Sequence, residues 1–200
     1  IQVRLKEALM NMFVLDGDPV IAAQNHCDKH CVKMVTELYQ QLGSALRRYG
    51  ATDEQMPLTS KGTPLRGGYR NHPCTKWCGE SRSNFEWASE HAIGLAKEYT
   101  FRYGKTHACE AGIRRMAEMS DMINSGSMTR FAQAMPDEYK NSASDVQAYR
   151  DYYWFDKRKN IQCEWNKTRS ALFWWNEFRN GFVFFGKNSR SALTLPINRI

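Results

Sequence analysis

Apolar residues along this chain return mostly at intervals of three and four, with no clear strand alternation, and that period predicts an all-α fold. Met12 to Asp16 is a short apolar run that reads as an extended segment. Asp18 followed by Pro19 makes an N-cap and first-turn pair, because the Asp side chain accepts from orphan N–H groups and Pro needs none. The helix it opens is predicted to run to about Tyr49, before Gly50, with Val32, Val35, Leu38 or Tyr39, Leu42 and Leu46 on its core side. Residues 50–80 hold Pro57, Gly62, Pro64, Gly67, Gly68 and Pro73 and read as a long loop, a length that in a compact domain is functional or mobile. Ser83 is expected to cap a second helix ending at Gly104, with Phe85, Ala88, Ala92, Leu95 and Tyr99 inward. A third helix is expected from Thr106 or His107 to about Asp121, followed by a turn-rich stretch from Asn124 to Ser144 broken by Pro136. Ser144 or Asp145 then opens an aromatic and basic helix with Tyr149, Tyr152, Tyr153, Trp154, Lys157, Arg158, Lys159 and Trp165. The implied organisation is an N-terminal extension at 1–11, one compact helical domain at 12–175, and a tail at 176–200 that includes Phe182 to Phe185.

Two hundred residues suffice to close one core without metal or disulfide support. The formal net charge of +7 favours an acidic partner, nucleic acid first among them. Lys61, Arg66, Arg70 and Lys76 lie between Glu54 and Glu80 with no intervening acid, and such a loop either follows a phosphate backbone or is simply solvated. No apolar run approaches the ~18 residues of a membrane span. Ile1 to Leu9 mixes Arg, Lys and Glu, unlike a signal peptide, and Met10 or Met12 reads as an alternative start, so a cytoplasmic protein is expected. Cys27 and Cys31, and again Cys74 and Cys78, stand four apart; with His26, His30 or His72 they could hold zinc, but the spacing equally suits buried thiols. The reading adopted uses no metal and no cofactor.

Candidate chemistry lies in two stripes. His26, His30, Lys33 and Glu37 stand at i, i+4, i+7 and i+11 on one helical face, and Trp87, His91, Gly94, Glu98 and Arg102 repeat that spacing. Turned toward each other, the stripes would make a charged cleft in which His30, Lys33, Glu37, His91 and Glu98 are the catalytic candidates. A carboxylate held among cations can steady positive charge on a sugar or shuttle a proton, and a desolvated lysine can attack C1′ to form a Schiff base. The alternative is two helices paired through buried salt bridges. For DNA contact the candidates are Lys61, Arg66, Arg70, His72, Lys76, Trp77 and Arg102: cations for phosphates, His72 fixed in extended backbone before Pro73, and Trp77 to stack on a base or sit in the core. Trp154, Trp165, Trp174 and Trp175 read as core more readily than as a stacking platform.

The order of these features resembles the small all-helical phage pyrimidine-dimer DNA glycosylases of the endonuclease V family. His30 and Glu37 have the seven-residue spacing of that family's helix, His72-Pro73-Cys74-Thr75-Lys76-Trp77 is similar to its later loop, and Arg102-Tyr103-Gly104 to its helix stop. Met135-Pro136-Asp137-Glu138-Tyr139-Lys140 resembles its Pro-acidic-aromatic-basic stretch. Cys27-Asp28-Lys29-His30 and Asn71-His72-Pro73 also resemble elements of uncharacterised phage-encoded proteins. The likeness spans about residues 12–175 as an order of weak motifs. It implies a catalytic Glu37, attack by an N-terminal amine, and double-stranded DNA as partner in a host cytoplasm. Thr36 stands before Glu37 where the family has an arginine, and Asn11 or Phe13 would follow an initiating methionine. A water, a lysine or an altered N-terminus is therefore the expected nucleophile. The sequence thus points to a monomeric DNA base-processing enzyme of glycosylase/lyase type acting on a flipped nucleotide. A base-modifying transferase and a non-catalytic nucleic-acid-binding protein stand as alternatives.

Overall fold

The computed structural model describes residues 10–167, 169, 170 and 172–179. Among them the regular structure is helical, and the β contact is an isolated bridge between Leu58 and Pro64, so the fold is all-α as the periodicity predicts. The helices are α1 (Pro19–Gln24), α2 (Asp28–Arg48), α3 (Pro73–Cys78), α4 (Arg82–Tyr103), α5 (Glu110–Ala117), α6 (Asp145–Tyr152), α7 (Arg158–Asn160) and α8 (Phe173–Arg179). None of them is long and apolar enough to cross a membrane.

The capping chemistry places several ends where the sequence puts them. Asp18 accepts from the N–H groups of Val20 and Ile21, Ser144 accepts from Gln147, and Gly104 closes α4 at φ +65°, a left-handed conformation that suits glycine. Other expectations need correction. The long first helix is two helices, broken at Asn25–Cys27, because Arg102 takes the carbonyls of Gln24 and His26 while the Tyr153 hydroxyl takes the Cys27 N–H. Val32 is exposed and not in the core. Ser81, not Ser83, caps α4, accepting from Asn84 N–H. The 50–80 loop contains α3, with His72 as its N-cap and Pro73 at its first position. The third helix shortens to α5 and a 3₁₀ turn at Ser120–Met122.

The domain limits also move. Met10 and Asn11, expected in the extension, are buried together with Met12 to Leu15 in a segment without regular secondary structure, five of its six residues apolar. The C-terminal boundary shifts past residue 175, since Trp174, Trp175 and Phe178 of α8 bury against Trp154 and Tyr153. Residues 180–200, with Phe182 to Phe185, lie outside the described residues.

Two packings position the site. α2 lies along α4, and α1 crosses α4 where Gly94 leaves room: a Cβ there would stand 3.0 Å from the Ala23 Cβ. On the other flank α6 runs without interruption into a π turn, Tyr153–Lys157, and then α7. A π turn rotates the following side chains out of helical register and recurs at functional sites. Here the turn holds Tyr153 against α2 and Lys157 over the Tyr152 ring, 4.6 Å from its centroid. Arg150 ties α6 to the inner segment through the Leu15 carbonyl at 2.9 Å and Asp16 at 3.1 Å.

Candidate functional site

A pocket of about 500 Å³ opens between α2, the inner segment and the α6–α7 helix. Asn11, His30, Lys33, His72, Tyr152 and Lys157 are among its walls. The structure therefore brings together four of the predicted residues: His30, Lys33 and His72 on the wall, and Glu37 bonded to two wall groups. One Glu37 oxygen accepts from the Asn11 N–H at 2.7 Å and the other pairs with Lys33 Nζ at 2.8 Å. Burial pushes the Glu37 carboxyl above its usual range, against the opposing pull of Lys33 and the Asn11 N–H.

The pocket's aromatic side is built on Phe13. Its backbone is left-handed at φ +46°, a conformation costly for a bulky residue, and Asn11 sustains it by accepting from the Met12 and Phe13 N–H groups at 2.7 and 3.2 Å. Phe13 stacks on His30 with centroids 4.7 Å apart and lies 6.0 Å from the near-parallel Tyr152 ring. His30 in turn bonds through Nδ1 to the Tyr153 hydroxyl at 2.8 Å. Burial, then the charges of Lys33 and Lys157, lower its pKa to about 3, so the ring is neutral at physiological pH.

The second stripe does not face this pocket. Arg102 is fully buried and spends its guanidinium on Glu98 (2.8 Å), the His26 carbonyl (2.8 Å), Asp28 (3.0 Å) and the Gln24 carbonyl (3.0 Å). Arg169 grips the same Glu98 with both Nε and Nη2, at 2.7 and 2.8 Å. Burial raises the Glu98 pKa, yet the hydrogen bonds and charges of Arg169 and Arg102 outweigh it and hold the carboxyl below its usual range. His91 is sealed with its ring nitrogens on the carbonyls of Pro19 and Met12, at 2.9 and 3.3 Å, and burial lowers its pKa to about 4. His26 donates its Nδ1–H to the Ala22 carbonyl at 2.8 Å and leaves Nε2 buried without a partner among the described residues. The single cleft expected from two facing stripes is thus corrected: His91 and Glu98 belong to packing that joins α1, α4 and residue 169.

The DNA-contact candidates divide as well. Lys61, Arg66, Arg70 and Lys76 are exposed, although Arg66 pairs with Asp53 at 2.9 Å. Trp77 and Arg102 are buried and have no surface to offer a nucleic acid; Trp77 packs on Phe131 and Trp87 at 5.0 and 5.9 Å. The four paired cysteines are free, buried thiols, and no metal-binding group of His, Cys, Asp or Glu is present among the described residues. Asn11, Phe13, Tyr152, Tyr153 and Lys157 were invisible as site residues, since they join the site only through tertiary packing, Asn11 across 26 positions to Glu37 and Tyr153 across 123 to His30. The sequence matches no protein-family model, and no curated protein and no solved structure is significantly similar to it.

Proposed function

We propose that this chain is a DNA base-processing enzyme of glycosylase/lyase type, acting as a monomer on one nucleotide drawn from duplex DNA into the pocket. The observation that carries the reading is the Glu37 carboxylate, held between Lys33 and the Asn11 N–H beside an aromatic, cation-lined pocket. A volume of about 500 Å³ is in the range of small-ligand sites, and parallel rings with flanking ammonium groups suit a base and its phosphates. The net charge of +7 and the exposed Lys61, Arg66, Arg70 and Lys76 supply attraction to the backbone.

In the proposed step Glu37 takes a proton from Lys33, and the freed amine attacks C1′. The N–C1′ bond forms as the glycosidic bond breaks. The base leaves with that electron pair and takes up a proton, and opening of the sugar ring gives the imine. The resemblance to pyrimidine-dimer glycosylases supports Glu37, while the missing arginines support a nucleophile other than that family's.

Borohydride trapping on duplexes with an abasic site or a pyrimidine dimer tests this. A covalent protein–DNA band is expected, lost in Lys33→Gln and in Glu37→Gln. Base release without a band would make water the nucleophile. Salt-sensitive binding with neither release nor band would overturn the enzymatic reading in favour of a plain DNA binder.

A further inference from the structure

Two histidines line the pocket, and each has one ring nitrogen committed to the protein in a way that fixes where its proton sits. The Tyr153 hydroxyl has a single hydrogen, which it donates to Cys27 Sγ at 3.2 Å. It accepts from the Cys27 N–H at 3.1 Å, so its 2.8 Å contact with His30 Nδ1 needs the ring N–H as donor. His30 therefore carries its proton on Nδ1 and keeps a bare lone pair on Nε2, which has no protein partner among the described residues. His72 is the reverse. As N-cap of α3 its Nδ1 accepts from the Cys74 N–H at 3.2 Å, so the proton of the neutral ring is on Nε2. Burial keeps both rings below the usual histidine range.

The charges beside His30 narrow what can meet its lone pair. Lys33, three residues along α2 on the same face, and Lys157 both bear on the His30 ring. An amino group placed there would meet ammonium groups; a carbonyl oxygen would be attracted by them.

We propose that His30 Nε2 and His72 Nε2–H form a fixed acceptor–donor pair that selects the imide edge of a uracil- or thymine-type base, a ring N–H flanked by two carbonyls. This rests on the nucleotide reading of the pocket. The ring N–H donates to His30, one carbonyl accepts from His72, and the other, beside the glycosidic nitrogen, faces Lys33. That second carbonyl lies next to C1′, which is also where the proposed attack by Lys33 occurs. Tyr153 is the positioning residue, since it holds the His30 tautomer.

The test uses a five-nucleotide strand of abasic sugar-phosphates with one central thymine, the same strand with N3-methylthymine, and an all-abasic strand. Affinities by calorimetry are expected to be at least about tenfold weaker for the methylated base, because a site built to accept an N–H rejects the analogue lacking it. In Tyr153→Phe that ratio is expected to collapse toward one. Long-range ¹⁵N histidine spectra of the unmodified protein, which need no variant to fold, are expected to show the Nδ1–H form for His30 and the Nε2–H form for His72. Equal binding of thymine and N3-methylthymine, above the all-abasic strand, would overturn the imide edge and leave the nucleotide pocket standing. No gain from either base over the abasic strand would overturn both readings. A His30 proton on Nε2 would overturn the acceptor–donor pair whatever the affinities.

Discussion

The α2 and α4 stripes repeat one spacing with similar residue types, yet only the α2 stripe borders the aromatic, cation-lined pocket, while Gly94 and Glu98 of α4 line a separate cavity of about 310 Å³ that Arg169 also borders. What differs is the surface opposite each. Facing α4 are the carbonyls at the end of α1 and the guanidinium of Arg169, which match Arg102 and Glu98 group for group. Facing α2 are Asn11, the Phe13 ring and the π turn, which satisfy one oxygen of Glu37 and one nitrogen of His30 and stop there. The two carboxyls diverge accordingly. Burial raises both, but two arginines reverse the shift at Glu98, whereas Lys33, 46% exposed, does not reverse it at Glu37. Glu98 is clamped by two guanidiniums, whereas Glu37 is held by one half-exposed ammonium and a backbone N–H, so Glu37 is the easier of the two to protonate.

The sharpest way to break this contrast is to treat the stripes alike. Glu37→Gln is expected to cut base release by roughly 10²–10⁴-fold, the range of a lost proton-transfer group, with unfolding free energy within about 1 kcal/mol of the parent. Glu98→Gln is expected to leave base release standing and to destabilise by about 1.5–3 kcal/mol, as the buried charge-assisted bonds from Arg169 and Arg102 weaken. Arg102→Met should cost more, about 3–5 kcal/mol in urea unfolding, since it also strands the carbonyls of Gln24 and His26 and the Asp28 carboxylate. Its salt dependence of DNA binding should match the parent's, because the guanidinium is out of solvent's reach. A Glu98 variant that lost activity at unchanged stability would erase the distinction.

Acid probes both regions at once. All five histidines have pKa values below the ordinary one, chiefly through burial, His30 to about 3 and His91 to about 4. In the unfolded chain they titrate near ~6.5, so between the two values the unfolded state binds more protons. The stabilising contribution is complete above the unfolded value and is lost as pH falls from there toward 3–4, on the order of 5 kcal/mol for His30 and 3 kcal/mol for His91 at full extent. Glu37, with its raised pKa, works in the opposite sense and recovers only a part. Unfolding midpoints measured from pH 7 to pH 4 are expected to drop steadily; a flat profile would mean the histidines are hydrated and the α4 side is not sealed.

Much of the frame was legible in sequence because caps are local. Asp18-Pro19, Ser144 and Gly104 mark their helix ends through bonds within three or four residues. The break at Asn25–Cys27 was not legible, since the partners that hold it open, Arg102 and Tyr153, lie 76 and 126 residues away. The same distance hid the sorting of the stripes. A row of His, Glu and Arg at helical spacing looks alike whether it faces a cavity or a second arginine, and Arg169 stands 71 residues from Glu98. His30, Lys33, Glu37 and His72 were recoverable because three of them share a helix face and the fourth precedes a proline. The pocket's other walls were not.

The smallest expected effect bears on the seam that seals α4. Gly94 sits in the helix interior, where alanine is favoured by about 1 kcal/mol on propensity alone. Its added Cβ would meet the Ala23 Cβ at 3.0 Å, and α1 would have to yield a few tenths of an ångström. α1 is poorly able to yield, since Asp18 caps one end while Arg102 holds the Gln24 carbonyl at 3.0 Å at the other. Overpacking of this kind costs roughly 1–3 kcal/mol, so the clash outweighs the propensity and Gly94→Ala should lose about 1 kcal/mol. The same substitution in the Arg102→Met background decides the cause: with α1 released, the alanine should become neutral or stabilising. If Gly94→Ala stabilises the parent protein instead, α1 is not pinned by Arg102, and the α4 stripe owes its burial to apolar packing and not to its salt bridges.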